Sequence, residues 1–259
     1  MAIKAVNMQN ENVQTITLGE EELAQFDEFK RQKKLKEAQN FLLKLELDLT
    51  ALTYESNSLK RLIFSANDLK LGAICLLPCA VKWCKSALSQ NKKCAIIAII
   101  SHLHGGETTE IKCASVKKAI RDGADEVEVT APVFHIKNAS WGTVKREFKK
   151  LKKAAKNKAI RINLEAPLLT ETEITKTCSL AADCGVNYIV TSSGYYGLSN
   201  DSEIVKTVKY AVKDKCQVKV NGVENRVQVQ EICELGAAKC GTKTALDIAK
   251  LILSFAEKV

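Results

Sequence analysis

The chain has 259 residues, 46% of them hydrophobic and 27% charged, with ten cysteines, three prolines and a formal net charge of +9. This is enough apolar material for one sizeable core, while no apolar run approaches the ~18 residues of a membrane-spanning helix. The opening residues lack the apolar stretch of a secretory signal and no C-x-x-C pair occurs. A disulfide framework is therefore not expected, and the protein is expected to be cytoplasmic with reduced thiols, most of them (Cys75, Cys94, Cys178, Cys184, Cys216, Cys240) in the core.

Residues 1–19 are polar and are expected to form a flexible N-terminal segment, with 20–259 as a single domain. From residue 20 the run EEELAQFDEFKRQKKLKEAQNFLLK places Leu23, Phe26, Phe29, Leu35 and Ala38 on one face. Its acids come early and its lysines late, which predicts a helix closing one end of the domain. Short apolar runs follow at 44–49, 73–77, 95–100, 125–130, 159–164, 188–191, 217–220 and 237–240. Between them 78–90, 107–122, 141–156, 171–184, 201–213 and 226–235 have helical spacing, and 244–256 supplies a last helix. The connection 51–71 is longer and less regular. Strands joined by helical crossovers imply a parallel sheet, and eight such units predict a closed (β/α)8 TIM barrel with an extra N-terminal helix. An open doubly wound sheet is the runner-up, and it lacks the G-x-G-x-x-G turn after its first strand.

Residues 145–158, KREFKKLKKAAKNK, hold seven lysines and one arginine against one glutamate. Val144, Phe148, Leu151 and Ala155 recur at helical spacing beneath them, so the segment reads as an amphipathic helix with a basic outer face. A solvated lysine-rich face is the plain reading. An acidic macromolecular partner, nucleic acid or protein, is the functional one, and nucleic acid is disfavoured because no aromatic residues or arginines interleave.

In a barrel, chemistry belongs at the C-terminal strand ends. Four of them carry related motifs in order: LDLTALT at 47–53, AICLLP at 73–78, GADEVEV at 123–129 and NYIVTSSG at 187–194. Together these resemble the deoxyribose-phosphate aldolases. That resemblance implies reversible cleavage of 2-deoxy-D-ribose 5-phosphate to glyceraldehyde 3-phosphate and acetaldehyde through a lysine imine, with no metal or organic cofactor. It also assigns roles to positions. Asp48 matches the first-strand aspartate, Glu128 stands for the fourth-strand aspartate, Arg161 for a fifth-strand lysine, and Lys219 for the seventh-strand lysine. Val190 stands where the family carries its imine-forming lysine.

The family's phosphate loops correspond here to Thr191 and Gly194, to Gly222, and to Gly241, Thr242 and Lys243. Two of their cations have become Tyr195 and Glu224, with Arg226 near enough in sequence to compensate. Valine has no amine, so the expectation is a catalytically impaired or inactive aldolase-like protein acting in binding or regulation, with a phosphorylated sugar as its small-molecule ligand and a homo-oligomer as its assembly. Asp48, Glu128, Arg161 and Lys219 would then be a remnant ion network, and Val190 part of a dry barrel layer. The alternative is an active aldolase in which Lys219 serves as the amine. His102 and His104, alternate residues after the third strand, would need a third ligand to hold a metal, and no metal site is assigned.

Overall fold

The computed structural model describes residues 3–4, 15–16, 20–50, 55–88, 90–196 and 201–257. Most of the 1–19 segment, and residues 51–53 of the first-strand motif, lie outside this set. Within it, β1 (Ile3–Lys4) and β2 (Thr15–Ile16) form a two-residue antiparallel ribbon.

The eight expected strands are all present, as β3 (Leu45–Asp48), β4 (Ala73–Leu76), β5 (Ala95–Ile100), β6 (Glu126–Thr130), β7 (Ala159–Asn163), β8 (Tyr188–Val190), β9 (Gln217–Asn221) and β10 (Lys239–Thr242). They close into an all-parallel barrel in chain order, with β10 returning to β3. Around it run α2 (Ser56–Asp68), α3 (Pro78–Ala87), α4 (Thr109–Asp122), a short α5 (Val133–Lys137), α6 (Trp141–Ala155), α7 (Glu171–Asp183), α8 (Ser202–Val212), α9 (Arg226–Glu234) and α10 (Ala245–Glu257), while α1 (Glu20–Leu42) precedes the barrel. No described helix is long and apolar enough to cross a membrane.

Side chains alternate across each strand, so the barrel has two unlike faces. Ile74, Leu76, Ile96, Ala98, Val127, Val129, Ile160, Ile162, Ile189, Val218 and Val220 face the helices and form the main core with them. The inner face is itself divided. Ala73 and Cys75 on β4 meet Ile97 and Ile99 on β5 in a small apolar cluster. Buried Glu46, Glu128, Arg161 and Lys219 arrive from β3, β6, β7 and β9.

Two expectations about elements need correction. The described part of the 51–71 connection, from residue 55 on, is regular: it holds the thirteen-residue helix α2. The five residues aligned on α1 do not form one packing face. Ala38 is buried and Leu35 packs beside it on the core, Phe26 and Phe29 are exposed, and of residues 21–34 only Leu23 is even half-covered. Only the second half of α1 packs, against α10.

The basic segment is a helix, as its spacing predicts, with Val144, Phe148, Leu151 and Ala155 buried. Its one glutamate is buried too. Glu147 accepts from Lys112 Nζ at 2.8 Å and from Thr109 Oγ1 at 2.8 Å, which fixes α6 to α4. All ten cysteines are free; Cys184 is half-buried and packs at the edge of the core, where the other five expected there are buried.

Candidate active site

The inward side chains of four strands meet at the barrel centre. Lys219 Nζ lies 2.8 Å from Glu128 Oε2 and 3.0 Å from Glu46 Oε2. Arg161 donates from one guanidinium nitrogen to both Glu46 oxygens, at 2.8 and 2.9 Å, and from Nε to Glu126 at 2.8 Å. The Arg161 guanidinium also lies 4.4 Å from the centroid of the Tyr188 ring. Glu46 is thus the bridge that ties the two cations together. Gly241 makes room for this arrangement, because a Cβ there would fall 2.0 Å from Asn221 Oδ1 and 3.0 Å from Lys219 Cε.

The electrostatics follow from that geometry. Burial by itself raises a carboxyl pKa, yet Arg161 and Lys219 beside Glu46 outweigh it and hold Glu46 down to about 2. Burial works against the Lys219 ammonium, but the groups packed on it, Cys75 and the Glu128 and Glu46 carboxylates, more than offset this. Lys219 stays well above the ordinary lysine range, with Arg161 opposing. Cys75 is 3.5 Å from Lys219 Nζ, and burial pushes its thiol far up, so it is neutral and the two carboxylates supply the attraction.

Of the residues singled out in the sequence, Glu128, Arg161 and Lys219 belong to this network. Asp48 does not: its carboxylate accepts from the Thr50 backbone N–H at 2.9 Å and from Thr50 Oγ1 at 2.7 Å, an Asx-type turn at the strand end. Glu46 and Glu126 take the acidic places instead. Period-two reading points to both, since LELD and EVEV put an acid two residues before Asp48 and before Glu128 on the same strand face. Val190 is fully buried, pairs with Asn163 and Lys219 on the neighbouring strands, and lies outside the helix-side core that takes Ile189. It faces inward as expected, but into a layer with polar neighbours and not an apolar one.

The loops assigned to phosphate largely satisfy their own polar groups. Ser193 N–H donates to the Glu165 carboxylate at 3.1 and 3.2 Å, Gly194 N–H to Ser192 Oγ at 2.9 Å, Gly222 N–H to the Gly241 carbonyl at 3.0 Å, and Thr244 N–H to Thr242 Oγ1 at 3.1 Å. Thr191 is fully buried and donates its N–H to the Lys219 carbonyl. Lys243 is exposed at the start of the turn into α10. Arg226 is turned away, with its guanidinium 5.4 Å from the Phe255 ring centroid.

Glu165 carries no motif in the sequence. It is fully buried, sits at φ +52° in the left-handed region, and also accepts from Asn163 Nδ2 at 2.9 Å. Burial raises its pKa and those hydrogen bonds only partly oppose the rise.

His102 stacks edge-on against Tyr195 at 5.5 Å, with both ring nitrogens buried and unpartnered among the described residues. Burial lowers its pKa, against Asp48 and Glu128. His104 is exposed, and no group of three metal-ligating side chains comes together among the described residues. Between Asp48, His102, Glu128, Asn163, Ser193 and Lys219 the mouth retains a cavity of 10 Å³. One water needs about 10–15 Å³, and small-molecule sites run to roughly 300–1,000 Å³.

Residues 43–238 match the family described as DeoC/LacD family aldolase. The deoxyribose-phosphate aldolase of Mycoplasma capricolum subsp. capricolum is 32% identical over 176 residues, covering 68% of this chain and 79% of that protein. The enzyme of the same name from Clostridium botulinum (strain ATCC 19397 / Type A) is 30% identical over 193 residues, covering 73% and 90%. Among solved structures, deoxyribose phosphate aldolase from Aeropyrum pernix, described as a unique tetrameric structure, superposes with a TM-score of 0.78 at 19% identity over 88% of this chain and 97% of that one. At that identity the likeness concerns the fold.

Proposed function

The chain belongs to the DeoC/LacD aldolase family, and from that premise we propose that it is a member impaired or inactive as a deoxyribose-phosphate aldolase, retained as a binding or regulatory protein. The observation that carries this reading is the pairing of Val190 with Lys219: the inward position on β8 has no amine, and the lysine beside it is bound to two carboxylates. Imine formation begins with a neutral amine. At pH 7 an ordinary lysine is neutral in fewer than about one molecule in 10³, and Lys219 is shifted further in the unfavourable direction. Its proton would also have to leave a site where it bridges Glu46 and Glu128, exposing two buried carboxylates to each other.

Two further features support the reading. Glu165 engages the Ser193 amide beside the loop assigned to phosphate, and the cavity among the described residues of the mouth measures 10 Å³, against roughly 300–1,000 Å³ for small-molecule sites. On this reading Glu46, Glu126, Glu128, Arg161 and Lys219 are a structural network, Thr191, Gly194, Gly222, Gly241, Thr242 and Lys243 form closed loops, and the exposed basic face of α6 is the surface for an acidic partner. Residues 20–259 act as one barrel unit. Free thiols throughout suit a reducing cytoplasm.

The second reading, an active aldolase with Lys219 as its amine, has the β8–β9 pairing in its favour, because neighbouring strands put Lys219 about 4.8 Å from the position Val190 occupies. A coupled assay of deoxyribose 5-phosphate cleavage separates the two, with the Clostridium botulinum relative run in parallel. Loss of a covalent nucleophile costs on the order of 10⁶ in kcat, so no turnover above the buffer rate is expected. Turnover within about 10²-fold of the relative, an effect that small misplacement alone explains, overturns the proposal.

A further inference from the structure

A trench of 990 Å³ runs between α4 and α6 on the outer surface of the barrel. Lys117 and Arg121 line it from α4, Lys150 and Lys153 from α6, and Lys156 from just beyond α6. The one acid at its edge, Glu110, is held by Lys150 at 2.9 Å. Its floor is apolar and made of small or half-covered side chains, Cys113, Ala114, Ile120 and Ala154. The Lys112–Glu147 pair pins the two walls together beneath it, so the trench is preformed. Cationic walls over an apolar floor select a segment that is acidic and amphipathic. Single-stranded nucleic acid would want aromatic platforms or several guanidinium groups, and this lining has no aromatic residue and one arginine.

The chain carries such a segment with most of its surface exposed. In α1, residues 21–34 are exposed except for Leu23, which is half-covered. Leu23, Phe26 and Phe29 follow one another at three-residue spacing, with Phe29 66% exposed and Phe26 37% exposed under the Lys30 ammonium. Glu21, Glu22, Asp27 and Glu28 accompany them, and the first basic residue is Lys30. Asp27 and Glu28 make exposed contacts within the helix, 3.6 Å to Lys30 and Arg31, and Glu28 also accepts from Gln32 Nε2 at 2.6 Å, all of them open to water and so exchangeable. A free helical stretch of this length is marginal in water, where isolated helices shorter than about 12–15 residues do not persist, and packing of the apolar stripe is what would hold it.

We infer that the first half of α1 of one copy docks into the α4–α6 trench of a second copy, its Leu23–Phe26 stripe on the apolar floor and its acids against the lysine walls. The contact is between copies, because α1 leaves the barrel beside α10, and α2 and α3 lie between α10 and α4 in the helix ring. Each copy offers one helix and one trench, so reciprocal exchange closes a dimer. This inference rests on reading the basic α6 face as a docking surface; it is independent of whether the barrel is catalytic.

The test is sedimentation equilibrium of the full chain at low and high salt, with two charge-reversed variants. The expected result is a mass of two chains or more at 50 mM salt that falls toward one chain at 500 mM. Lys117→Glu/Lys153→Glu and Glu22→Lys/Asp27→Lys should each be monomeric, and an equimolar mixture of the two should associate again, because the reversed helix of one meets the reversed trench of the other. A wild-type chain that is monomeric at both salts overturns the inference, as does association unchanged in both variants. A labelled peptide of residues 20–34 and a DNA duplex, each titrated onto the wild-type chain, separate the causes of failure. Peptide binding that weakens at least tenfold in Lys117→Glu/Lys153→Glu supports the trench. If the chain is monomeric but still binds the peptide, self-association is wrong and the docking surface stands. If it binds only DNA, or neither probe, the inference is overturned together with the reading of α6 as a protein-docking face.

Discussion

Glu46 carries more of this barrel's interior than any residue a motif would single out. It is fully buried, and without it the one carboxylate left to Arg161 among the described residues would be the partly exposed Glu126, and the one left to Lys219 would be Glu128. Breaking a buried ion pair by removing one partner costs about 3–5 kcal/mol, so Glu46→Gln should lose on that order in urea unfolding. Asp48→Asn, which only weakens a turn hydrogen bond, should lose about 1 kcal/mol. The same residue predicts an acid dependence. Because the folded state holds Glu46 at about 2 against an ordinary value of 4.5, its stabilisation is present above pH 4.5 and is lost as pH falls toward 2. Unfolding measured between those limits should steepen with acid in the wild type and be flatter in Glu46→Gln. Glu165 has the opposite sign, since its raised pKa means its contribution to stability is lost as pH rises through the folded value. At the family's nucleophile position, Val190→Lys should permit at most weak imine formation, because Glu128 and the phosphate loops remain as they are. Adding Glu128→Asp should then raise kcat more than it changes KM, and Tyr195→Lys should act mainly on KM, as steady-state kinetics of the three variants would read.

At the scale of elements, the strands were legible because their apolar runs are bounded by turn formers, and the helices because their spacing is regular. The helix α2 was not. Its N-cap position is Glu55, which makes no side-chain cap, and its first turn has no acidic residue, so the usual start signal is missing. By contrast α7 opens with a full capping box, in which Thr170 Oγ1 accepts from Glu173 N–H at 3.3 Å and Glu173 accepts from Thr170 N–H at 2.8 Å. Thr170→Ala should cost about 1 kcal/mol in thermal or urea unfolding. On β10 the absence of a side chain at Gly241 is what admits Lys219 and Asn221. Gly241→Ala should therefore destabilise by about 1–3 kcal/mol through overpacking, with the loss shrinking when Asn221→Ala is added.

Over the whole molecule, the eight strand–helix units could be read from local alternation, and their number implies the closure that joins β10 to β3, while the place of Val190 follows from the family's sixth-strand motif. The pairing inside the barrel could not. Arg161 and Glu46 are 115 positions apart and Lys219 and Glu128 are 91 apart, so which acid meets which cation is decided only when the strands close. Local pattern therefore does not tell that Glu46, and not Asp48, joins the buried network, and nothing local marks Glu165 as a carboxylate that will sit on a loop amide. The half-barrel of apolar β4 and β5 facing an ionic half has the same origin. Lys219 is an ammonium held between two carboxylates beside a position with no amine. Borohydride trapping of the wild-type chain with deoxyribose 5-phosphate, followed by mass mapping of the peptides, tests that directly. The expected result is no reduced adduct on any lysine, while the Clostridium botulinum relative is labelled under the same conditions; a stoichiometric adduct on Lys219 would contradict it.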